Sequence, residues 1–267
     1  MIAAAPQGEV EVPECVRELA AGRPVQAVWK NELGGLTFRI GDGEAPRFVK
    51  WAPAGSGVDL SVEAVRLRWA ADFTTVPHVL DEGSDAAGSW MVTAELRGSS
   101  AVDDRWKREP EIAVRAVGSA LRRMHEQLPV GDCPFDWSAG GRLETARTRA
   151  AFGHIDMAEC HADFRHLGTA ERALELLAAP PPADGLVVCH GDACAPNTLI
   201  GDDGECSGHV DLGALGVADR WADLAVATWS TQWNYGPGWE EPLLDAYGIE
   251  ADPERITYYR LLWELSD

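Results

Sequence analysis

Residues 187–223, VVCHGDACAPNTLIGDDGECSGHVDLGALGVADRWAD, space their polar groups in a way that leaves few folds open. The polar core is His190-Gly191-Asp192, then Asn197 five residues after the aspartate, then Asp211-Leu212-Gly213 fourteen residues after the asparagine. Apolar runs flank these groups, Leu186-Val187-Val188 before and Thr198-Leu199-Ile200 after. Such a pattern predicts a short strand, a loop and a second strand, with the polar groups confined to the loop. A third segment, residues 207–211, ends in a carboxylate.

These residue types suit phosphoryl transfer. That reaction asks a protein for a group that orients the attacking hydroxyl and accepts its proton, and for hard oxygen ligands to a divalent cation. Asp192 is the right type for the first task; Asn197 and Asp211 are the right types for the second. Aspartate, four residues, asparagine is the spacing of the protein-kinase catalytic loop, and Asp-x-Gly repeats the kinase metal motif. The competing reading is two unrelated acidic turns between strands. Either half alone is weak, and their combination with strand-like flanks weighs against chance.

Longer motifs carry a resemblance. HGDACAPN and GHVDLGALGVADRWADLAVA resemble the aminoglycoside phosphotransferase family, especially its 3′-phosphotransferases of the kanamycin and neomycin type. The similarity continues through LRRMHEQLPVGDCPFDWS upstream and YGIEADPERITYYRLL downstream, so it covers most of the chain. The resemblance implies an α+β, protein-kinase-like, two-lobed fold. A nucleotide-binding lobe, an antiparallel sheet with one helix, would span residues 1–98 with a hinge at 93–98. A mostly helical catalytic and acceptor-binding lobe would span residues 99–267, with nucleotide between the two. It implies ATP as donor, with GTP as the alternative, Mg²⁺, and transfer of the γ-phosphate to an aminoglycoside hydroxyl, first of all the 3′. Asp192 would be the base, and Asn197 and Asp211 the magnesium ligands. Lys50 would hold the α- and β-phosphates, with Glu63 fixing Lys50. Gly34 and Gly35 would form the phosphate loop, where Leu33 stands in place of a frequent serine. Backbone groups of Ala94 and Leu96 would read adenine, Asp156 and Glu159 would grip acceptor ammonium groups, and Asp223 would anchor the catalytic loop from below. The rival acceptors are streptomycin, at its 3″ position, and another hydroxylated small molecule. A non-catalytic nucleotide- or drug-binding protein is the remaining alternative.

Composition narrows the partners. With 267 residues, 46% of them apolar, the chain can bury a large core. Its formal charge of −20 repels nucleic acid and anionic membrane and attracts a cationic small molecule. Solubility alone would also explain such a charge. No apolar run reaches membrane-spanning length, and MIAAAPQGEVEVPE lacks the basic start and apolar run of a signal peptide. The expectation is a cytoplasmic monomer or weak homodimer. The six cysteines are then expected to be reduced. Cys189 and Cys194, with four residues between them, lack the second pair of a structural zinc site.

In chain order, a helix is expected over 13–21, then strands over 25–29 and 36–40 around the turn Asn31-Glu32-Leu33-Gly34-Gly35. A strand over 47–50 presents Lys50. A helix over 58–71 follows, with Val62, Val65, Leu67 and Trp69 apolar and Glu63 in its first turns. Strands over 76–80 and 89–93 complete the sheet. Past Gly98 the pattern turns helical, with an amphipathic helix over 111–127 on which Ile112, Val114, Val117, Leu121 and Met124 recur. His125 on that helix is read as needing no cofactor role. Helices over 142–152 and 169–178 follow, and Asp219 is a candidate cap for the helix that contains Asp223.

The resemblance frays where acceptor choice resides. The family places an arginine where this chain has Ala214, and a charged cluster where it has Trp229, Ser230 and Trp233. The family's Asp-Glu-Phe-Phe tail is replaced by Trp263-Glu264-Leu265-Ser266-Asp267, with Glu264 matching the glutamate. Trp229, Trp233, Trp239 and Trp263 are therefore expected to cluster at an aromatic-lined acceptor site, with core packing as the alternative.

Overall fold

The computed structural model describes residue 8 and residues 10–31, 33–43 and 45–266. The reading of Glu32 in the glycine turn, part of that of the chain's start and that of Asp267 thus lie outside the described residues. The chain divides into two compact units. One takes the described residues up to Arg97 together with Gly208–Gly213; the other takes Gly98–Ser207 and the described residues from Ala214 onward.

The first unit opens with helix α1 (Glu14–Ala20), which stops where Ala21 and Gly22 adopt left-handed backbone. Five strands follow: β1 (Val25–Lys30), β2 (Leu36–Ile40), β3 (Arg47–Pro53), β4 (Val79–Ser84) and β5 (Gly88–Ala94). They form one sheet in the order β1-β2-β3-β5-β4, antiparallel at every pairing. Period-two alternation sets its faces: Leu36, Phe38 and Ile40 are buried with Val49 and Val92 against Cys15, Val16 and Ala20 of α1. The strand expected at 76–80 begins only at Val79, because Pro77 lacks the N–H a ladder needs.

Helix α2 (Leu60–Ala70) connects β3 to β4; Asp59 caps it, accepting from the Ser61 N–H at 3.0 Å. Its buried stripe is Leu60, Glu63, Ala64, Leu67 and Ala70, while Val62 and Val65 face outward. Of the apolar residues noted in the sequence, only Leu67 belongs to this stripe. A carboxylate occupies the inner stripe because Lys50 is there to neutralise it.

The second unit is mostly helical. Its elements are β6 (Ser99–Ser100), α3 (Asp104–Arg108), α4 (Pro110–Gln127), α5 (Ala139–Ala151), α6 (Ala162–Arg165) and α7 (Ala170–Leu177). They continue as β7 (Leu186–Cys189), β8 (Thr198–Ile200), β9 (Cys206–His209), β10 (Gly216–Asp219), α8 (Trp221–Tyr235), α9 (Glu240–Tyr247) and α10 (Pro253–Ser266). Strand β9 runs from this unit into the first. Strands β7 and β10 form an antiparallel pair, Cys189 opposite Gly216 and Leu186 opposite Asp219.

Buried Ala113, Val114, Val117, Leu121 and Met124 line the inner side of α4, whereas Ile112 is exposed, a correction to the periodic reading. Gly118 lets α4 approach α9 closely: a Cβ there would lie 2.4 Å from the Leu243 carbonyl oxygen. Helix α8 is buried on all sides from Trp221 to Thr231, as a helix crossing the centre of a core must be. Asp219 is the last residue of β10, and Arg220 stands at the cap position. The Asp219 carboxylate still accepts from the Trp221 N–H at 2.9 Å, so it satisfies one of the first helical donors. Among the described residues no helix is long and apolar enough to cross a membrane.

Candidate active site

In the second unit the polar loop emerges from β7, turns through a 3-10 segment at Ala195–Asn197 and enters β8. Its shape is imposed from beneath by Asp223 of α8, a fully buried carboxylate. The backbone N–H groups of His190 and Gly191 donate to its two oxygens at 2.6 and 2.9 Å. Gly191 has φ +87°, and a Cβ there would sit 2.2 Å from the Ala214 carbonyl oxygen, so glycine is required twice over. Farther along, the Ala195 N–H donates to Ser230 Oγ at 2.9 Å, a second tie to α8.

This scaffold holds Asp192 and Asn197 together. The Asn197 amide nitrogen donates to the Asp192 carbonyl oxygen at 3.0 Å and to Asp192 Oδ2 at 2.9 Å. Both amide hydrogens are thereby spent on Asp192, leaving the Asn197 side-chain oxygen as the end with ligand character. Asp192 Oδ1 is buried and makes no hydrogen bond among the described residues. A buried carboxylate oxygen without a donor is costly, and it is suited to accept a proton from an incoming hydroxyl.

His125, read from the sequence as needing no cofactor role, joins this support. His125 Nε2 lies 2.9 Å from Asp223 Oδ2, and its Nδ1 lies 2.8 Å from the Tyr247 hydroxyl. Burial works against the Asp223 charge, but His125, His190 and the Gly191 amide outweigh it and hold the carboxyl below its usual range. Ligand-type atoms of His125, Cys189 and Asp223 all lie within 4.8 Å of one another. Burial, with Asp223 and Asp219 nearby, pushes the Cys189 thiol well up, so it stays protonated. With the Asp223 oxygens already engaged, this cluster is a hydrogen-bonded joint rather than a metal centre.

In the first unit, Lys50 Nζ on β3 donates to Glu63 Oε1 and Oε2 at 2.7 and 2.9 Å, and to Asp211 Oδ1. Burial opposes the Lys50 charge, and the carboxylates of Asp211 and Glu63 overcome it, so its pKa is raised. Asp211 adopts φ +64°, a left-handed conformation in which an aspartate is uncommon and which recurs at functional sites. The glycine loop is closed from within. The Gly35 N–H donates to Asn31 Oδ1 at 2.6 Å, and Gly34, at φ +83°, donates to the Asn31 carbonyl oxygen at 3.3 Å. Asn31, the first residue of the turn read from the sequence, thus closes that turn with its side chain. The Ala94 N–H is committed to the His78 carbonyl oxygen at 2.9 Å. Leu96 stands beside Gly208, its Cδ1 2.8 Å from where a Cβ would lie.

Of the acceptor residues read from the sequence, Trp229 and Trp233 meet each other and Trp263, and Glu264 reaches the adjoining His161. Asp156 and Glu159 are exposed on a turn, where Asp156 Oδ1 accepts from the Ala158 N–H at 2.8 Å. Glu264 Oε1 accepts from the His161 N–H at 2.9 Å. The His161 ring packs edgewise on Trp229 with centroids 4.4 Å apart, and Trp229 meets Trp233 at 5.1 Å and Trp263 at 6.2 Å. Trp229 is 0% exposed and belongs to the core, which corrects its placement on a ligand-facing surface. The physical reason is position along the helix: Trp229 lies within the stretch of α8 that is buried on all sides, whereas Trp233, on the same face one turn on, lies past its end and is 45% exposed.

Residues 30–259 match the model of the phosphotransferase enzyme family. An aminoglycoside 3′-phosphotransferase of Streptomyces fradiae is 35% identical over 253 residues, covering 89% of this chain and 93% of that one. The crystal structure of a type VIII aminoglycoside-3′-phosphotransferase superposes with a TM-score of 0.79 at 32% identity, over 94% of this chain and 97% of that one. The aminoglycoside phosphotransferase APH(3″)-Id of Streptomyces rimosus, solved with ADP and streptomycin, gives a TM-score of 0.70 at 31% identity, over 86% of this chain and 90% of that one. With an Asp-x-x-x-x-Asn loop, a Lys50–Glu63 pair and this similarity along nearly its whole length, the chain belongs to the phosphotransferase enzyme family.

Proposed function

We propose that this protein transfers the γ-phosphoryl group of ATP to a hydroxyl of an aminoglycoside, with the 3′-hydroxyl as first choice and magnesium as the required cation. The observation that carries this reading is the pairing of Asp192 with Asn197, which occupies one carboxylate oxygen and leaves the other buried and unpartnered. The names of the relatives supply the acceptor class.

In this reading Asp192 Oδ1 takes the hydroxyl proton as the oxygen attacks phosphorus. Asn197 keeps that carboxylate from rotating. Asp223 holds the loop that carries both. Lys50 binds the α- and β-phosphates, and Glu63 keeps its ammonium group in place. Asn197 and Asp211, an amide oxygen and a carboxylate, are the hard donors that would hold magnesium. When bound, the ion neutralises charge developing on the phosphates. Gly34 and Gly35 would approach the phosphates, and Ala94 and Leu96 the adenine, through backbone groups. The nucleotide-binding lobe would thus draw on residues 1–98 and the catalytic and acceptor-binding lobe on residues 99–267. Exposed Trp233 would stack on a sugar ring, and Asp156, Glu159 and Glu264 would face ammonium groups. The protein would act in the cytoplasm, where ATP is at hand.

The rival acceptor is streptomycin at its 3″ position, favoured by the relative solved with that drug. ADP release with kanamycin, neomycin, ribostamycin and streptomycin decides. Turnover of the first three, falling roughly 10²–10⁴-fold in Asp192→Asn, is expected. Turnover of streptomycin alone moves the acceptor to the 3″ class, and full turnover by Asp192→Asn removes the base assignment.

A further inference from the structure

The turn between β1 and β2 closes on Asn31. The Asn31 N–H donates to the Gly35 carbonyl oxygen at 2.9 Å, and the Asn31 carbonyl oxygen accepts from the Gly34 N–H at 3.3 Å. Its side-chain Oδ1 accepts from the Gly35 N–H at 2.6 Å. Both glycine N–H groups are therefore already taken within the turn. Leu33, 61% exposed, brings only an apolar side chain.

The Asn31 side chain has donors to spare. Only an oxygen can face the Gly35 N–H, so the other end of the amide is Nδ2, which carries two hydrogens. Nδ2 makes no hydrogen bond among the described residues and is not shut off from solvent. Gly35 makes room for it. A Cβ on Gly35 would lie 2.6 Å from Nδ2, too close for two unbonded atoms. Gly35 does not adopt left-handed backbone, so space for this amide is what asks for glycine there.

The sheet register shows which way Nδ2 faces. Side chains alternate along a strand, and directly opposed residues share a face. Lys50 stands opposite Thr37, and Gly35 lies two residues before Thr37. The missing Cβ of Gly35 thus points to the face of Lys50, away from buried Leu36 and Phe38. Asn31 Nδ2 sits against that position, two residues or about 7 Å along the strand from the level of Lys50. An amide donor and an ammonium group on one sheet face suit a chain of phosphates, whose anionic oxygens accept hydrogen bonds.

We propose that Asn31 is a phosphate-binding residue, its Nδ2 donating to an oxygen of the same triphosphate that Lys50 holds. The glycines bring the backbone close, and the asparagine supplies the hydrogen bond. The proposal rests on ATP being the phosphoryl donor and is independent of the acceptor.

Titration calorimetry with Mg-ATP and with adenosine tests it, using the full chain as wild type, Asn31→Asp, Asn31→Ala and Gly35→Ala. Aspartate keeps an oxygen for the Gly35 N–H, so it preserves the turn and replaces the donor by a charge that phosphate repels. Asn31→Asp should lower ATP affinity about 10–100-fold, with adenosine affinity within about twofold and Tm near wild type. Asn31→Ala removes the donor without adding a charge and should lower ATP affinity about 3–10-fold. Gly35→Ala should do the same by displacing the amide; if it fails to fold, the two Asn31 variants decide. ATP affinity within twofold of wild type in Asn31→Asp would overturn the proposal. So would equal losses for ATP and adenosine, which would mean that Asn31 only shapes the turn. Tighter ATP binding by Asn31→Ala would mean that the amide blocks the loop, and would also overturn it. If wild type binds ATP but phosphorylates no aminoglycoside, the acceptor reading fails and the affinities still decide Asn31. If wild type binds neither ATP nor adenosine, the kinase reading fails and this proposal with it.

Discussion

Gly191 shows how little freedom single positions near the reacting group have. Its left-handed backbone would cost a residue with a Cβ about 1–2 kcal/mol, and contact with the Ala214 carbonyl oxygen adds to that. Gly191→Ala should therefore lower Tm by several degrees and lower kcat as well, because the N–H that meets Asp223 moves with the chain. A Gly191→Ala protein with wild-type Tm would show that the loop can be rebuilt without it. Lys50 gives a second expectation. Its ammonium group is shared between Glu63 and Asp211, so Lys50→Met leaves two carboxylates facing one another without a cation. Nucleotide affinity measured by titration calorimetry should fall about tenfold or more, one charge-assisted contact being worth ~1.5–3 kcal/mol. Unchanged affinity would remove Lys50 from the phosphate site. Asp192, Asn197 and Asp211 were readable because their motif is local, with partners five residues apart and strands on either side. His125 was not, because the residue that gives it meaning lies 98 positions away on another helix.

At the scale of elements, α8 does two jobs. Its inner surface forms the core of the second unit, and Asp223 and Ser230 on it hold the polar loop. The tryptophans divide along the same helix. Trp229→Ala should destabilise by about 3–5 kcal/mol in denaturant titration, the cost of an emptied aromatic site. Trp233→Ala should change stability by no more than about 0.5 kcal/mol while raising KM for the acceptor. The reverse pattern would exchange their roles. Asp223 also has a pH signature. Its folded pKa is depressed, so its contribution to stability is complete above the ordinary carboxylate value of about 3.9 and is lost as pH falls through the lower folded value. The Tm gap between wild type and Asp223→Asn should stay constant from pH 7 to about 5 and narrow below about 4. A gap that widens on acidification would contradict an ionised Asp223.

Across the whole molecule the charge of −20 is the dominant long-range property. It should draw a polycationic acceptor and repel free ATP, and salt should weaken both effects because the screening length falls from about 10 Å at 0.1 M to 3 Å at 1 M. The acceptor kcat/KM should therefore fall several-fold between 50 and 500 mM salt, while that for nucleotide falls less or rises. Equal salt dependence for both would show that the surface charge serves solubility alone. The placement of Gly208–Gly213 is also a whole-chain property. This short segment, which carries Asp211, leaves the second unit's sequence and associates with the first. Lys50 meets Asp211 from 161 residues away.

The sequence by itself determined the strand and helix pattern and the residue types available for phosphoryl transfer, because these follow from periodicity and from spacing within a few residues; the α+β kinase-like class was implied by the family resemblance of its longer motifs. Tertiary structure alone decided which side of each helix faces inward, and those decisions changed the reading. Glu63 went inside and Val62 and Val65 outside, since a buried ammonium group needs a carboxylate more than a core needs one more valine. Trp229 went into the core and Trp233 stayed at the surface, since the two share one face of α8 and only Trp229 lies within its fully buried stretch. The joint of His125, Asp223 and Tyr247 exists only when three separate helices pack. A buried carboxylate finds its donors wherever the fold brings them, not where the chain happens to place them.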